Sequence, residues 1–251
     1  MLNIIKIAFF FNKNRLIFQK IKPRSNLKFT FVTLFPNLIE PYFYESILKR
    51  AIDAKFISYE FYNPRDYTKN KHLKVDAQMV GGGAGMLMLC QPLFDCLDEI
   101  KRKNPEAYII FPLAAAKTFK QNDAKRLAKK KNIVFVSGRY EGIDERVIEK
   151  YANEVFSIGE FILTGGELPS LTMADAISRN VEGVLGNADS LVMESYENNL
   201  LEAPSFTKPE NFQNLSVVKE FLKGNHSKIS DLKSQMSICK TKYYRPNKET
   251  K

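Results

Sequence analysis

Residues 137–149, SGRYEGIDERVIE, come directly after the apolar run NIVFV at 132–136. An uninterrupted run of β-branched and aromatic residues is typical of a strand that is buried on both faces, and a helical pattern resumes at about residue 144. A segment that only turned would need Gly, Asn, Asp or Pro. Instead, these thirteen positions hold two arginines, three glutamates and an aspartate. The charges between the strand and the helix therefore indicate more than a turn.

Similar apolar runs recur along the chain and alternate with segments of helical period. The predicted strands are KFTFVTLF, FISYEF, AYIIF, NIVFV and EVFSIG, and the predicted helices lie near 37–53, 91–103, 121–131, 144–151 and 169–181. This alternation predicts an α/β fold with a mainly parallel sheet. After about residue 183 a stretch containing glycine and asparagine indicates a mobile linker, and two more helices are predicted at 208–223 and 225–240. A small helical domain should therefore close the chain.

Composition narrows the class of protein. The formal net charge is +10, but seven lysines and arginines precede the first acidic residue, Glu40, so the basic balance alone is weak support for a nucleic-acid partner. The cysteines Cys90, Cys96 and Cys239 have neither a disulfide pattern nor metal-ligand spacing, which favours a reducing, cytoplasmic compartment and no metal site. No apolar run approaches the ~18 residues of a membrane span, so no membrane partner is expected.

The first 27 residues are basic and contain no acid. Three interpretations stay open: a transit-like extension, translation from a non-native upstream start, or a flexible tail. The latter two are favoured. We expect this extension to be disordered.

Glycine clusters occur at three places: GGGAGM at 81–86, Gly138 with Gly142, and IGEFILTGGELP at 158–169. None fits a phosphate-binding P-loop or a G-x-G-x-x-G nucleotide fingerprint. Any one cluster is more simply a tight turn. Two of them, however, follow the predicted strands NIVFV and EVFSIG, and loops that leave the carboxyl ends of neighbouring parallel strands converge on one crevice. The sequence thus predicts a ligand site there.

The residues of the first loop have a chemistry suited to such a site. Tyr140 offers a flat face and Glu141 a hydrogen-bond acceptor for a base edge, while Arg139 and Arg146 can meet phosphate or another acid. Asp144 is better explained as the cap of the following helix.

These motifs, together with YNPRDYTKNKHLKVD at 62–76 and GVLG at 183–186, resemble the bacterial tRNA (guanine-N1)-methyltransferase family, which modifies the guanine at tRNA position 37. The resemblance runs from about residue 28 to about 246. It implies a SPOUT-type parallel sheet with a deep C-terminal trefoil knot, followed by the small helical domain. It also implies a homodimer that binds S-adenosylmethionine in the knot loops and tRNA across both subunits.

The resemblance divides the chain into an extension at 1–27, a knotted methyltransferase domain at 28–185, a flexible linker at 186–199 and a helical tRNA-binding domain at 200–251. It also implies the site residues. Those for the cofactor are Gly138, Tyr140, Glu141, Ser157, Ile158, Gly159, Glu160, Phe161, Ile162, Leu163, Gly165, Gly166 and Pro169.

For catalysis, the family's linker base matches Glu194 and its assisting arginine matches Arg179, while Glu141, Arg179 and Ser195 match substrate-binding positions. The family's aspartate is a glutamate here, and the alternative is that Asp189 or no side chain serves as the base. The family's S-P-x-G loop is LAAA at 113–116, which predicts reduced cofactor affinity. In the C-terminal domain KISDLK replaces a tryptophan and several arginines, which predicts weaker tRNA binding.

Two other functions stay open at this point. The chain could be a catalytically impaired tRNA-binding relic of the family, which the LAAA loop and Glu194 favour, whereas the intact block 137–169 favours an enzyme. A methyltransferase of the same fold that acts on ribose or ribosomal RNA is disfavoured by the GRYEGIDER motif.

Overall fold

The computed structural model describes residues 26–186, 194–196 and 199–246, with the backbone of Phe11–Asn12 and Arg15–Leu16. It contains two compact units, Met1–Gly186 and Asn187–Lys251. The strands of the first unit are β1 (Phe11–Asn12), β2 (Arg15–Leu16), β3 (Leu27–Val32), β4 (Ile57–Tyr62), β5 (Asp76–Gln78), β6 (Met86–Met88), β7 (Tyr108–Pro112), β8 (Asn132–Val136) and β9 (Glu154–Phe156). Its α-helices are α1 (Ser46–Asp53), α2 (Cys90–Lys103), α3 (Gln121–Leu127), α4 (Glu145–Tyr151) and α5 (Glu167–Ser178).

The first unit is built on a five-stranded sheet in the order β4-β3-β8-β7-β9, in which every neighbouring pair is parallel. The predicted α/β fold with a parallel sheet is therefore confirmed. β8 is buried at all five positions, as its uninterrupted apolar run predicts. Its register places Phe135 beside Phe31 of β3, with ring centroids 5.7 Å apart.

Helices cover both faces of this sheet and create two apolar cores. On one face, Phe29 and Phe135 pack with buried residues of α1, α3 and α5. On the other face, Val134 and Val136 pack with buried residues of α2 and α4. Fully burying one such side chain contributes about 1.5–3 kcal/mol, so this three-layer packing is the main stabilising term and holds the loops at the sheet edge.

Two helix predictions need correction. The segment predicted as one helix at 37–53 consists of 3₁₀ helices at Pro36–Leu38 and Glu40–Tyr44 followed by α1. Proline at the start of each 3₁₀ helix and the positive φ of Ser46, 57°, interrupt a continuous α-helix. The helix predicted at 121–131 ends at Leu127: Ala128 is its C-cap, and the amides of Lys129 and Lys130 then bond three residues back, as in turns.

The helix predicted at 208–223 is wrong. The second unit has a two-stranded antiparallel pair there, β10 (Asn211–Phe212) and β11 (Leu215–Ser216), followed by a 3₁₀ helix at Lys219–Leu222. The turn between the strands, Gln213 and Asn214, has positive φ at both positions, which a helix cannot contain. The helix predicted at 225–240 is confirmed as α6 (His226–Tyr244), capped by the Asn225 side chain.

The predicted extension at 1–27 lies outside the described residues, except for the backbone of the β1–β2 pair, Asn26 and Leu27. Much of the predicted linker, at 187–193 and 197–198, also lies outside them. Among the helices that the structure describes, none is both long and apolar enough to cross a membrane.

Candidate active site

A cleft of about 430 Å³ opens in the first unit where β7, β8 and β9 end. Their last residues are Pro112, Val136 and Phe156, and the loops that follow them form the walls. This is the carboxyl edge of the parallel sheet, where ligands of α/β proteins bind. The crevice predicted from the two glycine-containing loops is therefore present.

The loop after β8 has an unusual backbone. Tyr140 has φ 59° and Gly142 has φ 132°, and the ring of Tyr140 is half exposed beside the cleft. A tyrosine in the left-handed region costs about 1 kcal/mol and needs support from its surroundings.

Support comes from β6, whose backbone forms hydrogen bonds with this loop. The amide of Glu141 donates to the carbonyl of Met86 at 2.9 Å, and the amide of Met88 donates to the carbonyl of Gly142 at 3.0 Å. A further bond runs from the amide of Asp144 to Met88 at 3.2 Å. The motif GGGAGM thus ends in the strand that fixes the position of Glu141.

The loop after β9 is closed by its own serine. The Ser157 hydroxyl donates to the carbonyl of Gly159 at 2.7 Å, and the amide of Gly159 donates to the Ser157 hydroxyl oxygen at 3.0 Å. Phe119 and Lys117 hold the Ser157 backbone from the loop after β7. Because Ser157 is buried and these bonds occupy its hydroxyl, its role here is to shape the loop.

Two glycines join the loops after β8 and β9. The amide of Gly166 donates to the carbonyl of Gly138 at 2.8 Å. A Cβ on Gly166 would lie 2.8 Å from the Cα of Ser137, and one on Gly165 would lie 2.5 Å from Nε of Arg139. Only glycine allows these two loops to approach so closely.

The structure brings together nearly all residues that the resemblance assigns to the cofactor. The cleft is lined by Gly138, Tyr140, Glu141, Ser157, Ile158, Gly159, Phe161, Ile162, Leu163, Gly165, Gly166 and Pro169. Glu160 is exposed and does not line it. Its walls also include Pro112, Leu113, Ala114, Gly142, Ile143 and Phe156. Leu113 and Ala114 belong to the LAAA loop, which the resemblance implies to touch the cofactor. The other four were not assigned to the site, although the ends of the strands AYIIF and EVFSIG could have indicated Pro112 and Phe156.

Both arginines of the GRYEGIDER motif contact acids of the same chain. Arg146 binds Asp144 through Nε at 2.8 Å and Nη2 at 2.6 Å, and Asp144 caps α4 by accepting from the Arg146 amide. Arg139 lies with its Nε 2.8 Å from Oε2 of the buried Glu167. The sequence allowed phosphate or an acid as the partner of each arginine, and in the structure each arginine contacts an acid.

Arg179 lies at the C-terminus of α5 and is half-buried. One turn earlier is Asp175: burial raises the pKa of its carboxyl, and the nearby charge of Arg179 opposes that rise. Asp175 also interacts with Tyr42: the negative charge of Asp175 raises the pKa of the Tyr42 hydroxyl. A half-buried acid therefore accompanies the predicted catalytic arginine.

The other predicted catalytic residue, Glu194, belongs to the second unit and is half-buried. Its neighbour Ser195 accepts a hydrogen bond from the amide of Glu202 at 3.1 Å, which shapes the local backbone. The alternative base, Asp189, lies outside the described residues.

The cleft can hold a flat heterocycle with attached polar groups. Ile158, Phe161 and Leu163 supply apolar surface, Tyr140 a half-exposed ring and Glu141 a carboxylate. Over the described residues, no three His, Cys, Asp or Glu side chains come together as a metal ion would require. The groups present suit binding and orientation of an aromatic ligand.

Comparison with known proteins gives a consistent result. The family described as tRNA (Guanine-1)-methyltransferase TrmD matches residues 27–251. A protein of Sulfurovum sp. (strain NBC37-1) named tRNA (guanine-N(1)-)-methyltransferase is 67% identical over 221 residues, which cover 88% of this chain and 97% of that protein. Proteins of the same name from Sulfurimonas denitrificans, 66% identical over 220 residues, and Campylobacter curvus, 61% identical over 221 residues, cover 88% of this chain and 95% and 94% of their own lengths. The chain belongs to the TrmD family of tRNA (guanine-1)-methyltransferases.

Proposed function

We propose that this enzyme transfers the methyl group of S-adenosylmethionine to N1 of the guanine at position 37 of tRNA. The observation that carries the proposal is the cleft at the carboxyl edge of the sheet, which twelve of the thirteen residues matched to the family's cofactor positions line. The names of relatives that are 57–67% identical support the same reaction.

The residues of the cleft fit an adenosyl group. Apolar side chains from Ile158 to Leu163 supply surface for the adenine ring, while the backbone of Gly165 and Gly166 forms a wall with no room for a Cβ. When bound there, S-adenosylmethionine supplies a methyl group already activated by its sulfonium. The protein's contribution is then mainly to orient the two reactants.

The remaining chemical need is a base. Guanine N1 carries a proton at neutral pH and is a poor nucleophile until that proton is removed, a role that a carboxylate can perform. We assign the role of base to Glu194. We propose that Arg179 stabilises the negative charge that develops on the guanine. Glu141 then accepts a hydrogen bond from the guanine edge, and Ser195 contacts the substrate beside the base.

Finer features belong to the same proposal. We infer a trefoil knot from the family to which the chain belongs; the contacts of Ser157 with the 117–119 loop and of Gly166 with Gly138, which bring three loops together, are compatible with it. We also infer a cytoplasmic homodimer that binds tRNA partly through the C-terminal unit, which contains α6. The lysine-rich α6 is consistent with a phosphate partner.

The relic hypothesis has lost its support. Of the two features that favoured it, the LAAA loop still contributes Leu113 and Ala114 to the cleft, and Glu194 keeps the carboxylate that a base needs. The relatives of high identity are named as enzymes.

Calorimetric titration with S-adenosylhomocysteine tests the enzyme against the relic. We expect saturable binding to the parent protein and a loss of about tenfold in Tyr140→Ala, because the ring borders the cleft. Tyr44→Ala is the matched control, since Tyr44 is equally exposed in the same unit but does not line the cleft. Absence of binding at millimolar ligand would contradict the proposal.

A further inference from the structure

Arg139 is the second residue of the GRYEG motif, yet its guanidinium does not face the solvent as a phosphate-binding arginine would. Its side chain is 17% exposed, and that of Glu167 at the start of α5 is 3% exposed, with Nε and Oε2 2.8 Å apart. Arg139 belongs to the loop after β8, and Glu167 begins α5 directly after the loop that follows β9; both loops line the cleft. Their ion pair therefore spans the junction of those loops.

Each member of the pair is held on its other side. The Glu167 carboxylate accepts from the Thr33 hydroxyl at 2.8 Å. Arg139 Nη1 donates to the carbonyl of Thr164 at 3.3 Å, and its guanidinium lies over the Phe35 ring, 4.6 Å from the centroid. The end of β3, the loop after β8 and the loop after β9 thus meet in one charged contact.

The alignment of the pair is informative. Although Nε and Oε2 are close, neither atom makes a well-directed hydrogen bond among the described residues. Attraction between the two charges, rather than a directed bond, holds them together here. Removing one charge would leave the other buried and uncompensated, which would loosen the junction.

We propose that Arg139, paired with Glu167, is a positioning residue that locks the 138–142 loop against the 164–166 loop and thereby presets the cleft for its ligand. This inference rests on the proposed function for the identity of the ligand. Arg139 itself does not bind tRNA phosphate. Its effect reaches the ligand through Tyr140 and Glu141, which follow it in the loop.

Glu167→Gln and Arg139→Lys test the proposal. The first removes the negative charge without a change of size, and the second keeps the positive charge but loses the planar fork that reaches Thr164 and Phe35 together. Arg126→Lys is the matched control, because Arg126 also pairs with a poorly exposed acid, Glu154, and neither residue lines the cleft.

Two measurements are made on each full-length variant. Calorimetry with S-adenosylhomocysteine should show affinity lowered by about tenfold in Glu167→Gln and Arg139→Lys, because a cleft that is no longer preformed must be ordered on binding. Hydrogen exchange followed by mass spectrometry should show faster exchange in segments 137–143 and 160–168. The control should lose thermal stability with both quantities unchanged.

The outcomes are distinct. If the parent does not bind S-adenosylhomocysteine, the proposed function fails, and hydrogen exchange alone then decides whether the pair locks the loops. Unchanged exchange in Glu167→Gln and Arg139→Lys overturns the proposal, and so does faster exchange with an affinity within about twofold of a binding parent. A third variant, Arg139→Gln, checks the phosphate role: a salt slope of tRNA binding reduced by about one, with cofactor affinity unchanged, would also overturn it.

Discussion

Gly85 lies against the carboxylate of Glu141, so that a Cβ added to Gly85 would be 2.6 Å from Oε1. Gly85 has φ 84° and ends the glycine-rich segment directly before β6. Because Gly85 has no side chain, the carboxylate of Glu141, which we propose recognises the guanine, can occupy this space.

Gly85→Ala should therefore displace Glu141 and lower the methylation rate by about tenfold or more, since a shift of about 1 Å is costly for an oriented reaction. Gly82→Ala is the control: it has a similar φ, 87°, but no atom within 4 Å of its added Cβ. Both variants carry the same backbone strain, and steady-state kinetics should show a large loss only in Gly85→Ala. Equal losses in the two variants would mean that strain, not contact with Glu141, is responsible.

Arg179→Ala should lower turnover by at least about tenfold, because it removes the positive charge that we propose stabilises the guanine during the reaction. Arg179 sits at the end of α5, where a cation contributes only a few tenths of a kcal/mol to the helix, so the melting temperature should change little. Arg179→Lys, which keeps the charge, should lose less. Turnover equal to that of the parent in Arg179→Ala would remove Arg179 from the mechanism.

Glu194→Gln should abolish methylation and leave S-adenosylhomocysteine binding intact, because the amide cannot take the N1 proton. Glu194→Asp should equal or exceed the parent, since the shorter side chain restores the family's residue. Single-turnover rates and calorimetry on both variants provide the measurement, with Glu202→Gln as a control from the same unit. Undiminished activity in Glu194→Gln would leave Asp189 or no side chain as the base.

Glu154 should give the stability of the first unit a pH dependence. Burial favours a higher pKa for this carboxyl, but hydrogen bonds from Arg126, Tyr108 and Lys117 outweigh it and lower the pKa to about 2. A folded-state pKa below the unfolded value stabilises the protein above about pH 4.5, and this stability is lost as the pH falls toward 2.

Glu154→Gln should accordingly reduce the free energy of unfolding at pH 7 by roughly 1–3 kcal/mol and flatten its dependence between about pH 4.5 and 2. Urea unfolding at several pH values measures this. Asp53→Asn, at an exposed acid paired with Lys49, should change the free energy by less than about 1 kcal/mol. A parallel pH dependence in Glu154→Gln and the parent would contradict the assignment.

The sequence predicted the elements whose signals are local. NIVFV coincides with β8 because all five residues are buried, and Asp144 caps α4 as its place before the helix indicated. The failed helix at 208–223 has a local cause as well. Phe212, Leu215 and Val218 follow a helical spacing, but the first two are exposed and flank a turn with positive φ.

Contacts between distant segments were beyond sequence reasoning. The bond from Glu141 to Met86 joins the loop after β8 to β6, which lies more than fifty residues earlier, and the pair of Arg139 with Glu167 joins the same loop to the start of α5. Such contacts depend on how the sheet is assembled, which hydrophobic period does not specify. The resemblance to a known family supplied the site residues, and the structure adds how the loops are held together.

The central claim is methylation of guanine N1 at position 37, and mapping the product on tRNA tests it most directly. Purified protein, S-adenosylmethionine and a tRNA transcript with guanine at position 37 should yield 1-methylguanosine at that position, identified by nuclease digestion and mass spectrometry. A transcript with adenine at position 37 should remain unmethylated. Methylation at another atom or position, or none on the guanine transcript by a protein that binds S-adenosylhomocysteine, would contradict the account.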